Sequence, residues 1–64
     1  MIIEMLKLSS RPYNALKNAG IKTVEELLVL DRYDIMDIKA LGPKGRREIK
    51  ERLEWFGLDC EEFE

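Results

Sequence analysis

The sequence has no histidine, one cysteine, two prolines and one tryptophan among its 64 residues. Without histidine, the side chain that most readily exchanges protons near neutral pH is missing. Ser9 and Ser10 stand where helix caps are expected, and no nucleophile–base pair or cluster of metal ligands can be assembled from what remains. The acids are scattered over caps and the C-terminal end, and so short a sequence offers little cleft in which to pair carboxylates. Neither an enzyme nor a bound cofactor or metal is therefore expected. A lone Cys60 cannot close an internal disulfide, so packing alone must hold the fold, which suits a reducing cytoplasm; Cys60 itself reads as a bystander. No apolar run approaches the ~20 residues that cross a bilayer. Met1-Ile2-Ile3, interrupted by Glu4, is too short for a signal sequence.

What is present is a well-mixed amphipathic polypeptide. Hydrophobic residues make up 45% of it, enough to build one small core and too many for a disordered segment. The net charge of −2 conceals an uneven distribution. Lys39, Lys44, Arg46, Arg47, Lys50 and Arg52 crowd residues 39–52 against only Glu48 and Glu51. Residues 53–64 then carry Glu54, Asp59, Glu61, Glu62 and Glu64 with no base. A basic block followed by an acidic tail fits a solvated helix face with a solubilising end, and equally an electrostatic footprint for nucleic acid.

Capping residues divide the sequence into helices. Ser9 or Ser10 can cap a first helix with Arg11 and Pro12 in its opening turn, ending at Ala19 before Gly20. Thr23 with Glu26 forms a capping box for a second, carrying Val24, Leu27 and Leu28. Asp31 or Asp34 can cap a short third with Ile35 and Ile38. Gly42-Pro43 opens the last, with Ile49, Leu53 and Phe56 on one stripe and Gly57 at its end. No stretch alternates with a period of two. The expectation is an all-α, compact four- to five-helix bundle in one domain over 1–64, with an irregular N-terminal segment over 1–8 lying across the helices and an acidic tail over 59–64. Trp55 and Phe56 are expected to close the core against Ile2, Ile3 and Leu6; the other reading makes Trp55, Phe56 and Phe63 an exposed docking patch.

Residues 16–27 repeat at 38–49. Each copy has an apolar residue four before a glycine (Leu16, Ile38), one just before it (Ala19, Leu41) and one seven after (Leu27, Ile49). Each also has a lysine two after the glycine (Lys22, Lys44) and a glutamate six after (Glu26, Glu48). Helix, tight glycine turn, helix is the pattern of two helix-hairpin-helix-like units. In such a unit glycine permits the turn, and the following helix presents free N–H groups to a phosphate oxygen, with Lys22 or Lys44 beside them. Gly42 in particular is expected to adopt the turn geometry that a β-branched side chain resists.

Ser10-Arg11-Pro12-Tyr13-Asn14-Ala15-Leu16-Lys17, Ala19-Gly20-Ile21-Lys22-Thr23-Val24-Glu25-Glu26-Leu27, Leu41-Gly42-Pro43-Lys44-Gly45, Glu48-Ile49 and Gly57-Leu58 together resemble the C-terminal domain of the bacterial RNA polymerase alpha subunit. The resemblance covers roughly residues 3–58 without gaps. It implies DNA binding in transcription, with double-stranded DNA, RNA polymerase, the sigma subunit and transcription activators as partners; a protein monomeric alone is expected from the complete capping, the two hairpins and the lack of metal ligands, and a cytoplasmic location from the lone cysteine. It also implies that Arg11 enters an A·T-rich minor groove with Asn14 one turn on, that Gly42, Lys44 and Gly45 of the hairpin lie at the phosphates, and that Glu48 helps to hold the arginine. Arg11, Asn14 and Asn18 share one side of the first helix, away from Leu16 and Ala19.

This sequence departs from the family in several places. Gly45 replaces a usual serine, Pro43 a basic residue, Pro12 a small polar residue, and Lys7 an acid associated with sigma. Arg46 and Arg47, with Lys50, restore charge for phosphates. Met1 directly precedes the domain, which fits a free-standing homologue as well as an excised domain. The competing functional expectation is a protein–protein interaction module of the transcription machinery with little DNA affinity, favoured by the acidic balance and the losses at Pro43 and Gly45.

Overall fold

The computed structural model describes residues 1–58 and 61–63, so Cys60 and part of the acidic tail lie outside the described residues. Four α-helices are present among them: α1 (Ser10–Asn18), α2 (Val24–Leu28), α3 (Arg32–Met36) and α4 (Pro43–Trp55). A 3-10 turn precedes them at Ile3–Leu6 and another follows at Glu61–Phe63. This is the expected all-α bundle.

Local chemistry accounts for the helix ends. The Thr23 hydroxyl accepts the Glu26 N–H at 3.1 Å and donates to the Glu26 carboxylate at 3.3 Å. Asp31, of the two candidates, caps α3: it accepts the Asp34 N–H at 2.8 Å while Asp34 accepts the Asp31 N–H, a reciprocal box. Pro43 sits in the first turn of α4, where its missing N–H leaves nothing unpaired. Gly20 ends the first hairpin helix in the left-handed region, φ +82°.

Segment 1–8, expected to be irregular, is ordered. Its 3-10 turn buries Ile3 and Leu6 completely, Ile2 bridges to Thr23, and the Ile3 N–H donates to the Lys22 carbonyl at 3.1 Å. Arg52 of α4 donates from Nε to the Leu6 carbonyl at 2.7 Å. Glu4 accepts from Tyr13 Oη at 2.6 Å and lies 3.1 Å from Lys17 Nζ, tying the segment to α1. Those two contacts, the Tyr13 hydroxyl first, hold the Glu4 carboxyl down at about 2.

Ile3, Leu6, Leu16, Leu27, Ile35, Ile49 and Leu53 form the centre of the core, each fully buried. A side chain of this size contributes about 1.5–3 kcal/mol when withdrawn from water. The aromatic expectations require correction. Trp55 is 76% exposed and Phe56 38%, so neither closes the core against Ile2, itself exposed; Phe63, at 3%, is the aromatic core residue. Trp55 lies two residues beyond Leu53, about 200° around the helix, and so faces outward. Phe56 falls on the Ile49–Leu53 stripe, but α4 has ended there and Phe56 is only its C-cap. Gly57, φ +74°, then reverses the backbone, and Phe63 packs back between α3 and α4. Leu28 and Ala19, read as inward positions, are also exposed.

Candidate nucleic-acid interface

The two hairpins share a sequence pattern but not a backbone. Leu16 pairs with Ile38 and Leu27 with Ile49 as buried anchors, as the repeat requires. The left-handed residue of the second copy, however, is Ala40 (φ +65°), two residues before the glycine. Gly42 is extended, φ −83° and ψ −177°, and serves as the N-cap of α4. A Cβ added there would meet nothing within 4 Å. The expectation that Gly42 adopts a strained turn is therefore wrong: the strain sits on Ala40, where an L residue loses roughly 1–2 kcal/mol relative to glycine.

The copies also differ in access. In the first, Met1 covers the helix start: its carbonyl accepts the Val24 N–H at 2.7 Å. In the second, the Arg46 N–H bonds back to the Gly42 carbonyl, and the Lys44 and Gly45 N–H groups precede the first bond of the helix ladder. Of the two lysines the repeat offered, Lys44 is the one beside an open helix start.

That start faces the beginning of α1 across a cleft lined by Ser9, Arg11, Pro12, Ala40, Gly42, Pro43, Lys44, Gly45 and Glu48. The structure thus brings together Arg11, Gly42, Lys44, Gly45 and Glu48. Glu48 does not grip the arginine: among the described residues no ion pair joins it to Arg11. Its carboxylate instead accepts both the backbone N–H of Ser9 and the Ser9 hydroxyl, the latter at 2.8 Å. Ser9 is the N-cap residue of α1, so Glu48 fixes where that helix begins and thereby where Arg11 projects. Sequence reading placed Ser9 only as a cap; its link to Glu48 spans 39 residues and leaves no local signal.

Gly45 leaves room for the end of the Leu41 side chain. A Cβ there would lie 2.8 Å from Leu41 Cδ1 and 3.5 Å from Pro12 Cβ. Pro12, buried at the start of α1, stands at ordinary van der Waals distance from the same position.

The first turns of α1 and α4 carry cations where helices prefer acids. A helix N-terminus carries partial positive charge and is stabilised by acids. α2 follows that rule with Glu25 and Glu26, and α3 has Asp34 in a first turn that opens on Arg32. α1 and α4 have no acid of their own there and place Arg11 and Lys44 at the equivalent second position instead; the acid that meets the α1 start, Glu48, comes from α4. The α4 start therefore combines N–H groups that precede the helix ladder with the cation Lys44, while the α1 start combines the cation Arg11 with the Glu48 carboxylate on its N-cap.

The remaining candidates lie outside this cleft. Asn14 is exposed one turn along α1 from Arg11, and Asn18, also exposed, borders a different depression with Asp34 and Asp37. Arg46, Arg47 and Lys50 line an adjoining depression on the neighbouring face of α4, together with Phe63 and with Pro43, which borders both.

Over residues 1–55 the sequence matches the family described as the C-terminal domain of the bacterial RNA polymerase alpha subunit. The protein belongs to this family. This alpha C-terminal domain is 50% identical over 58 residues to the DNA-directed RNA polymerase subunit alpha of Alkaliphilus metalliredigens, covering 91% of its own length and 18% of that subunit. It is 45% identical over 64 residues to the same subunit of Clostridium botulinum, covering all of its own length and 20% of that subunit. The domain therefore spans about a fifth of the length of these curated relatives. None of its described helices is long and apolar enough to cross a membrane.

Proposed function

We propose that this alpha C-terminal domain binds duplex DNA in transcription, with Arg11 in an A·T-rich minor groove, Asn14 beside it, and phosphates held at the start of α4. The observation that carries the reading is the pair of cations, Arg11 and Lys44, at two converging helix starts. At α4, Lys44 opposes the helix dipole, and a bound phosphate would relieve that conflict while accepting from the Lys44 and Gly45 N–H groups; at α1 the Glu48 carboxylate already meets the N-cap Ser9, leaving Arg11 to project beside it. Arginine suits an A·T minor groove because the negative potential is concentrated where the groove narrows. Arg46, Arg47 and Lys50 extend the phosphate-binding surface along α4.

Such a surface meets only a handful of phosphates, so the slope of log K against log salt is expected to be roughly −3 to −5. Fluorescence anisotropy with a labelled duplex at two salt concentrations measures it. Lys44→Gln is expected to weaken A·T and G·C duplexes alike and reduce the slope by about one. It should leave the fold at least as stable, because a cation is removed from a helix N-terminus. No binding even at low salt contradicts the proposal. It would favour instead a protein–protein interaction module of the transcription machinery with little DNA affinity, a role supported by exposed Val29, Tyr33, Met36 and Trp55. The location expected for either role is the cytoplasm, with RNA polymerase, its sigma subunit or activators as protein partners.

A further inference from the structure

We infer that Lys39 is a second phosphate contact of the DNA-binding surface, at the opposite end of the polar side of α1 from Lys44; this rests on the DNA-binding reading above. Lys39 and Ala40 are adjacent in sequence and line different depressions. Ala40 borders the cleft that holds Arg11 and Lys44, whereas Lys39 borders the depression that holds Asn18. The backbone turns into the left-handed region at Ala40, φ +65°, so the two residues diverge. Strain of this kind in a residue other than glycine persists only where the surrounding structure enforces it, and it clusters at functional sites. Arg11, Asn14 and Asn18 share one side of α1, and the step from Arg11 to Asn18 covers about 10 Å of helix. The turn thus borders that side, with Lys44 toward Arg11 and Lys39 toward Asn18.

Lys39 is exposed, and among the described residues no ion pair holds its ammonium group. Its surroundings give that charge more weight than an ordinary surface lysine has. Asp34 and Asp37 line the same depression, Asp34 being held there by the α3 capping box. Both acids repel a phosphate on this side of α1, and Lys39 is the one base among the residues that line the depression. Without it this edge of the surface is acidic; with it the edge can hold a phosphate. A duplex with Arg11 in its minor groove, about 6 Å wide, has phosphates on both sides of the arginine. Two cations flanking the Arg11–Asn14–Asn18 row therefore fix how α1 lies against the duplex, which a single anchor at the α4 start leaves free to swivel.

Anisotropy with an A·T duplex at low salt tests this on Lys39→Gln and on Lys22→Gln, an equal change of charge at the exposed lysine of the first hairpin. Lys39→Gln is expected to weaken binding about three- to tenfold and to reduce the slope of log K against log salt by about one, whereas Lys22→Gln is expected to change affinity less than about twofold. A series of duplexes, each carrying one neutral methylphosphonate, locates the contact. One position is expected to cost the parent affinity and to cost Lys39→Gln nothing further. That position should differ from the one to which Lys44→Gln is insensitive. Parent-like binding by Lys39→Gln, or equal losses from Lys39→Gln and Lys22→Gln, overturns the contact and leaves DNA binding intact. A single position shared by Lys39 and Lys44 overturns it in the same way. Absence of binding by the parent overturns both readings.

Discussion

Gly20 and Gly42 look equivalent in the sequence, each sitting at the centre of one copy of the repeat, and their backbones demand different things. At φ +82° Gly20 occupies the left-handed region, whereas Gly42 is extended and faces open space. Gly20→Ala is therefore expected to lower stability by about 1–2 kcal/mol, and Gly42→Ala to stay within about 0.5 kcal/mol of the parent, both read from urea or thermal melts. The repeat pattern identified the turn correctly but could not say which residue in it has positive φ. Ala40 carries that conformation without being a glycine, held by the packing of Ile38 and Leu41 on either side. Glu4 offers a second test. Its folded value of about 2 lies below the ordinary 4.5, so its contribution to stability is present above the ordinary value and is lost as pH falls through that interval. Replacing it, Glu4→Gln, should flatten the acid side of the melting profile across that window, and an unchanged profile would show that the Tyr13–Glu4–Lys17 contact does not contribute.

Caps, breakers and the four helices were legible because each depends on residues close in sequence. Thr23 with Glu26, Asp31 with Asp34, and Pro43 act within one turn. What was not legible depends on contacts between distant elements. The aromatic assignments show why: Trp55 and Phe56 follow the helical stripe closely enough to look buried, but α4 stops before the stripe can use them. The reversal at Gly57 delivers Phe63 to the core instead. Truncating the two aromatics should separate these roles. Phe63→Ala is expected to lose about 3 kcal/mol or more in chemical denaturation. Trp55→Ala should lose no more than about 1 kcal/mol, most of it the stacking of Arg52 on the indole at 5.7 Å. Equal losses would place Trp55 in the core, against its exposure. The site was partly legible in the same way: Arg11 and Lys44 stand out in the sequence, but the link from Glu48 to Ser9 that aligns α1 with α4 joins residues 39 apart and is visible only in the fold.

Across the whole molecule, a protein of net charge −2 presents a local cationic cleft. Five of its eleven bases, Arg11, Lys44, Arg46, Arg47 and Lys50, stand where α1 and α4 begin or along one face of α4, while α2 and α3 take acids into their first turns. A domain of this size buries only about 600–1,000 Å² on a duplex. Affinity alone is expected in the micromolar-or-weaker range typical of non-specific binders. Useful occupancy then requires a tether that raises the effective concentration, such as polymerase, a second copy or a bound activator.

The central claim is that Arg11 reads the minor groove rather than merely adding charge. The measurement that tests it most directly is anisotropy of parent and Arg11→Ala on an A-tract duplex and a G·C duplex of equal length, at the same low salt. The parent is expected to prefer the A-tract, and Arg11→Ala to lose that preference while keeping most of its G·C affinity. Equal losses on both duplexes would contradict the claim.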